Sequence, residues 1–210
     1  MGWKAKRKLV EGLATVLVKI KAVQFGTFTL SSGRLSSYYV DLRAVPSYPG
    51  AYRVVVEAYG QLIRNGLGSK KFDAIAGIPT AGLAFSSPLA LQFSKPMIYA
   101  RKEEKQYGRE RRIEGLIKPG WNVLIVDDLV TTGGSIVSAA QAIREEGGEV
   151  KDAVVLIDRL EGGGTSLRKS GVSLHSLTDI VELSDILYSE GMIGDDEMKA
   201  IVRQVGKRRR

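Results

Sequence analysis

The stretch NVLIVDDLVTTGGS, residues 122–135, decides the fold. Four consecutive apolar residues, Val123 to Val126, run straight into the adjacent carboxylates Asp127 and Asp128. A short apolar run bounded in this way reads as a buried strand. Thr131, Thr132, Gly133 and Gly134 follow as a loop of small residues, and a helix is predicted from about Ser135.

Successive backbone N–H groups in a glycine-containing turn form an anion nest, and the helix behind it adds the positive end of its dipole. Gly133 and Gly134 permit close backbone approach, and Thr131, Thr132 and Ser135 add hydroxyl donors. That is a phosphate cradle. Asp127 and Asp128 would repel a phosphate and need a different partner. Vicinal ribose hydroxyls, or the water shell of Mg²⁺, suit two adjacent carboxylates. A ribose 5-phosphate satisfies both halves of the stretch. A strand ending in Asp-Asp also suggests the metal-holding strand of a P-loop ATPase, but no GxxxxGK[ST] occurs in the chain. Phospho-receiver domains place their acidic pair near the start of a shorter domain.

Working outward, β-loop-α units repeat on both sides. Strands are predicted at Ala74–Gly77, Met97–Ala100 and Val154–Ile157, with helices over 83–93 and 135–146. Such alternation implies a mostly parallel sheet flanked by helices, an α/β fold with its ligand beyond the carboxyl ends of the strands. The loops at 78–82, 101–115, 127–134 and 158–164 leave those ends. Upstream, Leu9, Val10, Leu13, Val16, Leu17 and Ile20 recur at helical spacing over residues 8–23, and two short strands, 28–30 and 37–42, suggest a hairpin. Pro49 is placed to open a helix carrying Tyr52, Val55, Val56, Tyr59, Leu62 and Ile63 on one face. Three parts are therefore predicted: an N-terminal helix-and-hairpin hood (1–42), a core (43–194), and a C-terminal helix with a basic tail (195–210).

Composition bounds the function. The chain has 210 residues, no cysteine and a formal charge of +8. Disulfides and thiolate chemistry are excluded, and no apolar run approaches the ~18 residues of a membrane span. A basic start without a signal-peptide core reads as cytoplasmic. Lys4, Lys6, Arg7 and Lys8 carry four of the positive charges and residues 207–210 another four, so residues 9–206 sum to zero. Charge confined to the ends argues against a nucleic-acid groove on the folded body. The lone His175, in an apolar strand-like run, reads as structural.

VLIVDDLVTTGGS resembles the phosphoribosyl-pyrophosphate (PRPP) motif of type I phosphoribosyltransferases. FGTFTLSSGRLSSYYVDLR (residues 25–43) resembles the N-terminal signature of the orotate phosphoribosyltransferases, and RKEEKQYGRERRIEG (101–115) resembles their flexible catalytic loop. The likeness runs in family order from about residue 12 to 190. It implies transfer of the phosphoribosyl group from PRPP to orotate, giving orotidine 5′-monophosphate and pyrophosphate in pyrimidine biosynthesis. It also implies Mg²⁺ carried with PRPP rather than on a tight protein site, and a homodimer whose 101–115 loops complete each other's sites.

Carried over by motif, Lys105, Asp127 and Asp128 would be catalytic. Arg101, Lys102, Lys105 and Tyr107 would meet pyrophosphate, with Thr80 and Ala81 offering backbone contacts beside a distorted peptide. Asp127, Asp128, Leu129, Val130, Thr131, Thr132, Gly133, Gly134 and Ser135 would hold the ribose 5-phosphate. Thr131, Arg159, Tyr39 and Val40 would receive orotate. Ten of the fifteen residues in 101–115 are charged, which predicts a loop that closes only over substrate. The chain departs from the family pattern where Gln24 and Ala81 stand for lysines and Tyr107 for a histidine; either Arg109, Arg111 or Arg112 compensates, or PRPP binds more weakly. Two other readings remain: a phosphoribosyltransferase for another nucleobase, and a PRPP-sensing regulator that binds nucleic acid through its basic ends.

Overall fold

A computed structural model describes residues 3–29, 33, 35–68, 71–101 and 112–208. The element order begins with α1 (Trp3–Lys19), the hairpin strands β1 (Val23–Thr29) and β2 (Leu35–Val40), a 3₁₀ turn (Leu42–Ser47) and α2 (Pro49–Leu62). It continues through β3 (Ala74–Gly77), α3 (Ala81–Phe93), β4 (Met97–Ala100), β5 (Ile113–Glu114), β6 (Val123–Val126), β7 (Leu129–Val130) and α4 (Gly134–Glu145). It closes with β8 (Asp152–Asp158), α5 (Gly163–Lys169), β9 (Ser173–Asp179), α6 (Ile180–Ser189) and α7 (Asp195–Arg208). The hairpin is its own two-stranded sheet, and the main sheet runs β5-β4-β3-β6-β8, with β7 and β9 both paired to β8. All of its pairings are parallel except β4 with β5.

The period-2 geometry of the strands divides the core. Ile75, Leu124, Val126, Val154 and Leu156 face one layer, where they pack with Leu13 and Leu17 of α1, Val55 and Tyr59 of α2, Phe85 and Leu89 of α3, and Leu183 and Leu187 of α6. Ala74, Ala76, Val123, Ile125, Ala153 and Val155 face the other, against Ile136, Ala140 and Ile143 of α4 and Leu167 of α5. Each strand is apolar on both faces because each face is covered by helices. The chain is thus the predicted α/β fold.

Several elements differ from the sequence reading. The first helix stops at Lys19 and does not run to residue 23, because Lys21 turns left-handed at φ 56° and β1 already begins at Val23. Segment 101–115 is not loop throughout: Ile113 and Glu114 form an antiparallel edge strand on β4. Residues 129–130 are strand as well. β6 and β7 lie along the same side of β8, interrupted at the acid pair, and Leu156 N donates to Asp128 O at 3.0 Å across the break. At the end of the chain, Gln204 of α7 accepts from Ser37 N at 2.8 Å and donates to Ser36 Oγ at 3.1 Å, which staples that helix to the hairpin.

Candidate active site

The carboxyl ends of β3, β6 and β8 open into one cavity of about 350 Å³. It is lined by Val40, Asp41, Arg43, Ile78–Ala81, Asp127, Asp128, Leu129, Thr131, Ser135 and Arg159. Two smaller spaces adjoin it. One, about 180 Å³, is enclosed by Leu129–Ile136 together with Asp127. The other, about 300 Å³, lies past Ile78 and Pro79 and is bounded by Arg101, Arg112, Gly134, Ser135 and Ser138. A larger cavity of about 470 Å³ sits apart, beside α6, lined by Asp179, Glu182 and Asp185. Its acidic wall opposes phosphate, and it contains none of the predicted residues.

The 180 Å³ space has the construction of an anion site. Gly133 caps α4 at φ 84°, and no side chain caps the helix, so the N–H groups of its first turn face the space unclaimed by any cap. The loop is held from behind by the start of α5. A Cβ on Gly163 would sit 2.7 Å from Thr131 O, and one on Gly133 would sit 3.2 Å from Gly163 O. The two glycines therefore let the phosphate loop and the 158–164 loop pack backbone against backbone.

The acid pair is fixed from below. Tyr59, fully buried in α2, donates to Asp127 O at 2.7 Å, and its ring stacks on Phe85 at 5.5 Å. Each carboxylate also accepts a neighbouring amide: Asp127 Oδ1 from Asp128 N at 3.0 Å, and Asp128 Oδ1 from Leu129 N at 2.9 Å. Burial is the main influence on the Asp128 carboxyl and raises its pKa above 3.8, with the Leu129 amide bond acting the other way. Burial likewise pushes the Tyr59 hydroxyl well above 10, so it remains a donor. Gly82 lets α3 approach the pair closely, since a Cβ there would stand 2.8 Å from Val126 O and 2.9 Å from Asp127 Oδ1.

The sequence-predicted residues divide into three groups. Asp127, Asp128, Leu129, Thr131, Ser135, Thr80, Ala81, Val40 and Arg159 meet in the main cavity, and Thr132, Gly133 and Gly134 in the phosphate-shaped space. Val130 reaches that space too, but its side chain belongs to the core and its carbonyl accepts from Arg159 N at 3.0 Å. Tyr39 is not among the lining residues. It stacks on Phe28 at 5.6 Å and accepts from Arg43 Nη2 at 3.2 Å, while its buried neighbour Tyr38 lies beneath Arg159. Lys102, Lys105, Tyr107, Arg109 and Arg111 lie outside the described residues. Gln24 donates to Lys21 O at 3.0 Å and does not line the cavity. The peptide between Pro79 and Thr80 is cis, which places the irregularity one bond before the Thr80–Ala81 pair.

Arg43 and Glu161 were not singled out from the sequence, whereas Arg101 and Arg112 were, and both of those border the space of about 300 Å³. Arg43 stands at the cavity with its guanidinium across Asp41, Nε to Oδ1 at 2.7 Å and Nη2 to Oδ2 at 2.8 Å, and this hydrogen bonding holds the Asp41 carboxyl below its usual range. Arg112 donates to Ser138 Oγ at 2.8 Å, and Arg101 pairs with Glu114 at 3.0 Å. Glu161 pairs with Arg159 at 3.0 Å. No periodic signal marks Arg43 or Glu161; strand alternation bears only on the hairpin, where it puts Tyr38 and Val40 on one face and Tyr39 on the other. Among the described residues, no group of three or more His, Cys, Asp or Glu side chains gathers as a metal cage, and no helix is long and apolar enough to cross a membrane.

The family model of the phosphoribosyl transferase domain matches residues 44–182. The orotate phosphoribosyltransferase of Cenarchaeum symbiosum is 41% identical over 192 residues, covering 91% of this chain and 96% of that protein. A crystal structure of orotate phosphoribosyltransferase from Aeropyrum pernix superposes with a TM-score of 0.72 at 37% identity, over 85% of this chain and 99% of that one. The structure of Leishmania donovani UMP synthase gives a TM-score of 0.83 at 35% identity, over 94% of this chain and 42% of that one. A cavity that joins a capless helix N-terminus, an acid pair and a buried arginine thus sits in a chain alike these proteins along most of its length, and the chain belongs to the orotate phosphoribosyltransferase family of type I phosphoribosyltransferases.

Proposed function

We infer that the protein transfers the 5-phosphoribosyl group of PRPP to orotate, forming orotidine 5′-monophosphate and pyrophosphate. The observation that carries this reading is the main cavity, which holds the acid pair and Arg159 and shares Asp127, Leu129, Thr131 and Ser135 with the adjoining phosphate-shaped space. In the proposed allocation, the 5-phosphate lies on residues 131–135 and the ribose hydroxyls donate to Asp127 and Asp128. Arg159, at the far side, takes the orotate carboxylate. Its guanidinium is buried in the cavity wall and can offer paired N–H donors to a carboxylate. The base nitrogen gives up its N–H proton to solvent or to the departing pyrophosphate and bonds to the anomeric carbon as the C–O bond to pyrophosphate breaks, the electron pair of that bond leaving with the pyrophosphate. The transition state is oxocarbenium-like, as in other glycosyl transfers. The enzyme must therefore neutralise the leaving group and exclude water.

Mg²⁺ enters with PRPP as part of the substrate. Asp127 and Asp128 would offer acceptor oxygens to its water shell, and the ion would help neutralise the charge that builds on the leaving pyrophosphate. Arg101 and the loop residues Lys102, Lys105 and Tyr107 are assigned to the pyrophosphate, Lys105 acting on the way to the transition state. A homodimer would bring each loop to the neighbouring site. Tyr99 and Leu116, exposed at the β4–β5 edge, support an apolar contact there.

Purified protein given PRPP, Mg²⁺ and orotate is expected to deplete orotate absorbance and release pyrophosphate stoichiometrically; failure to turn over orotate while another nucleobase reacts refutes the assignment. Mixing Lys105→Ala with Asp128→Asn subunits tests the shared site. Activity regained on mixing supports loop exchange, and none regained under conditions that reshuffle subunits refutes it.

A further inference from the structure

We propose that Glu161 is a positioning residue for the base, acting through Arg159; the inference rests on the reading above, in which Arg159 receives the orotate carboxylate. Three contacts hold the Arg159 side chain at the end of β8. Nη2 lies 3.0 Å from Glu161 Oε1, Nε donates to Tyr38 Oη at 3.4 Å, and the guanidinium carbon stands 4.9 Å from the centroid of the Tyr38 ring. The side chains of Arg159 and Glu161 are only 10% and 5% exposed. A carboxylate at that depth is tolerated only beside a cation, and such a pair is weak evidence for stability, since apolar residues of similar size would often serve as well. Its place behind Arg159 is better explained by what it does to that arginine.

The local backbone is shaped to make the pair. Leu160, between the two residues, adopts a left-handed conformation at φ 56°, uncommon for a residue with a branched side chain, and its N–H donates to Asp158 Oδ1 at 2.8 Å. The turn brings two side chains, one residue apart, against each other. The Arg159–Glu161 contact is a buried ion pair on one terminal nitrogen of the guanidinium, so it tethers the group from one side. Tyr38 fixes the Nε side and the plane, and Glu161 fixes Nη2. The guanidinium so held lines the cavity. An untethered arginine has many rotamers, and a ligand would have to order it on binding; a tethered one has met that cost in the fold.

Steady-state kinetics of Glu161→Gln test the proposal. The KM for orotate is expected to rise about tenfold to a hundredfold, the effect of loosening one charge-assisted contact, with the KM for PRPP unchanged. Equal rises in both KM values would indicate general damage and overturn the proposal. A fall in the orotate KM would also overturn it, showing that Glu161 competes with the substrate carboxylate for Arg159. If the glutamine variant does not fold, Glu161→Asp keeps the charge and withdraws it by one methylene; a smaller rise confined to orotate is expected, and none overturns the proposal. In an Arg159→Ala background, Glu161→Gln should add nothing to the orotate KM, and a full additive effect would again overturn it. Arg159→Ala alone separates the two levels. If it leaves the orotate KM unchanged, the base-site assignment fails and this inference with it. If it raises that KM while Glu161→Gln does not, only the positioning role fails.

Discussion

Gly82 gives the most direct test of how the acid pair is held. An alanine there places a Cβ 2.8 Å from Val126 O, 2.9 Å from Asp127 Oδ1 and 3.2 Å from Asp127 Cα. Two of these three atoms are backbone at the end of β6, and the carboxylate is anchored by the Asp128 amide, so the strand end cannot yield easily. To widen 2.8 Å to the 3.4 Å at which ordinary van der Waals contact begins, α3 must retreat by about 0.6 Å. Overpacking of this kind costs about 1–3 kcal/mol. For a chain of this size, that lowers Tm by roughly 2–12 °C. The helix carries Ala81, and Thr80 precedes it, so the displacement also reaches the cavity; a shift on this scale is expected to raise the KM for PRPP about tenfold. Thermal melts and steady-state assays read both effects. Gly12→Ala is the control, because Gly12 is exposed in α1 with nothing within 4 Å of a new Cβ, and there alanine should stabilise by about 0.5–1 kcal/mol. Parental Tm and parental PRPP KM in Gly82→Ala would refute the reasoning.

Other substitutions test other parts of the site. Asp128 has its pKa raised by burial, so the folded state holds that proton more tightly than the unfolded chain, and the stability this confers is lost as pH climbs from 3.8 through the raised value. Asp128→Asn should therefore raise Tm at neutral pH and flatten its dependence on pH just above 3.8, while weakening PRPP binding; an unchanged PRPP affinity would show that the pair does not face the ribose. Tyr59→Phe removes the donor to Asp127 O and should cost about 1–3 kcal/mol in denaturant unfolding, together with a higher PRPP KM. Loss of stability with an unaltered KM would confine Tyr59 to the core. Arg112→Ala should raise the KM for PRPP several-fold and leave that for orotate alone, if Arg112 supplies charge where the chain lacks family lysines; no change would remove it from the site.

The sequence carried the central sheet well, because β3, β4 and β6 are short apolar runs with abrupt ends and their bounds match the structure residue for residue. It carried β7 poorly, since two residues gain strand geometry only from the pairing with β8 that follows them in the chain. Tyr39 was read into the base site beside Val40, yet adjacent strand residues point to opposite faces, so only one of the two could face the cavity. The choice fell to Tyr38 and Val40 once the hairpin docked. Arg43 and Glu161 gave no periodic signal at all. Both are charged residues near turns, and their positions follow from side-chain pairing, Arg43 with Asp41 at the cavity and Glu161 behind Arg159. The phosphate loop was legible because its chemistry lies in consecutive residues.

The back-to-back packing of Gly133 and Gly163 makes the site a length gauge. With no Cβ between them, the loop assigned to the phosphate and the loop that carries Arg159 are joined as one solid piece, and the span from phosphate to arginine cannot stretch. A ligand is measured against that span from end to end. A nucleotide of the right length engages both termini at once, while one lengthened or shortened by a single bond must release one of them.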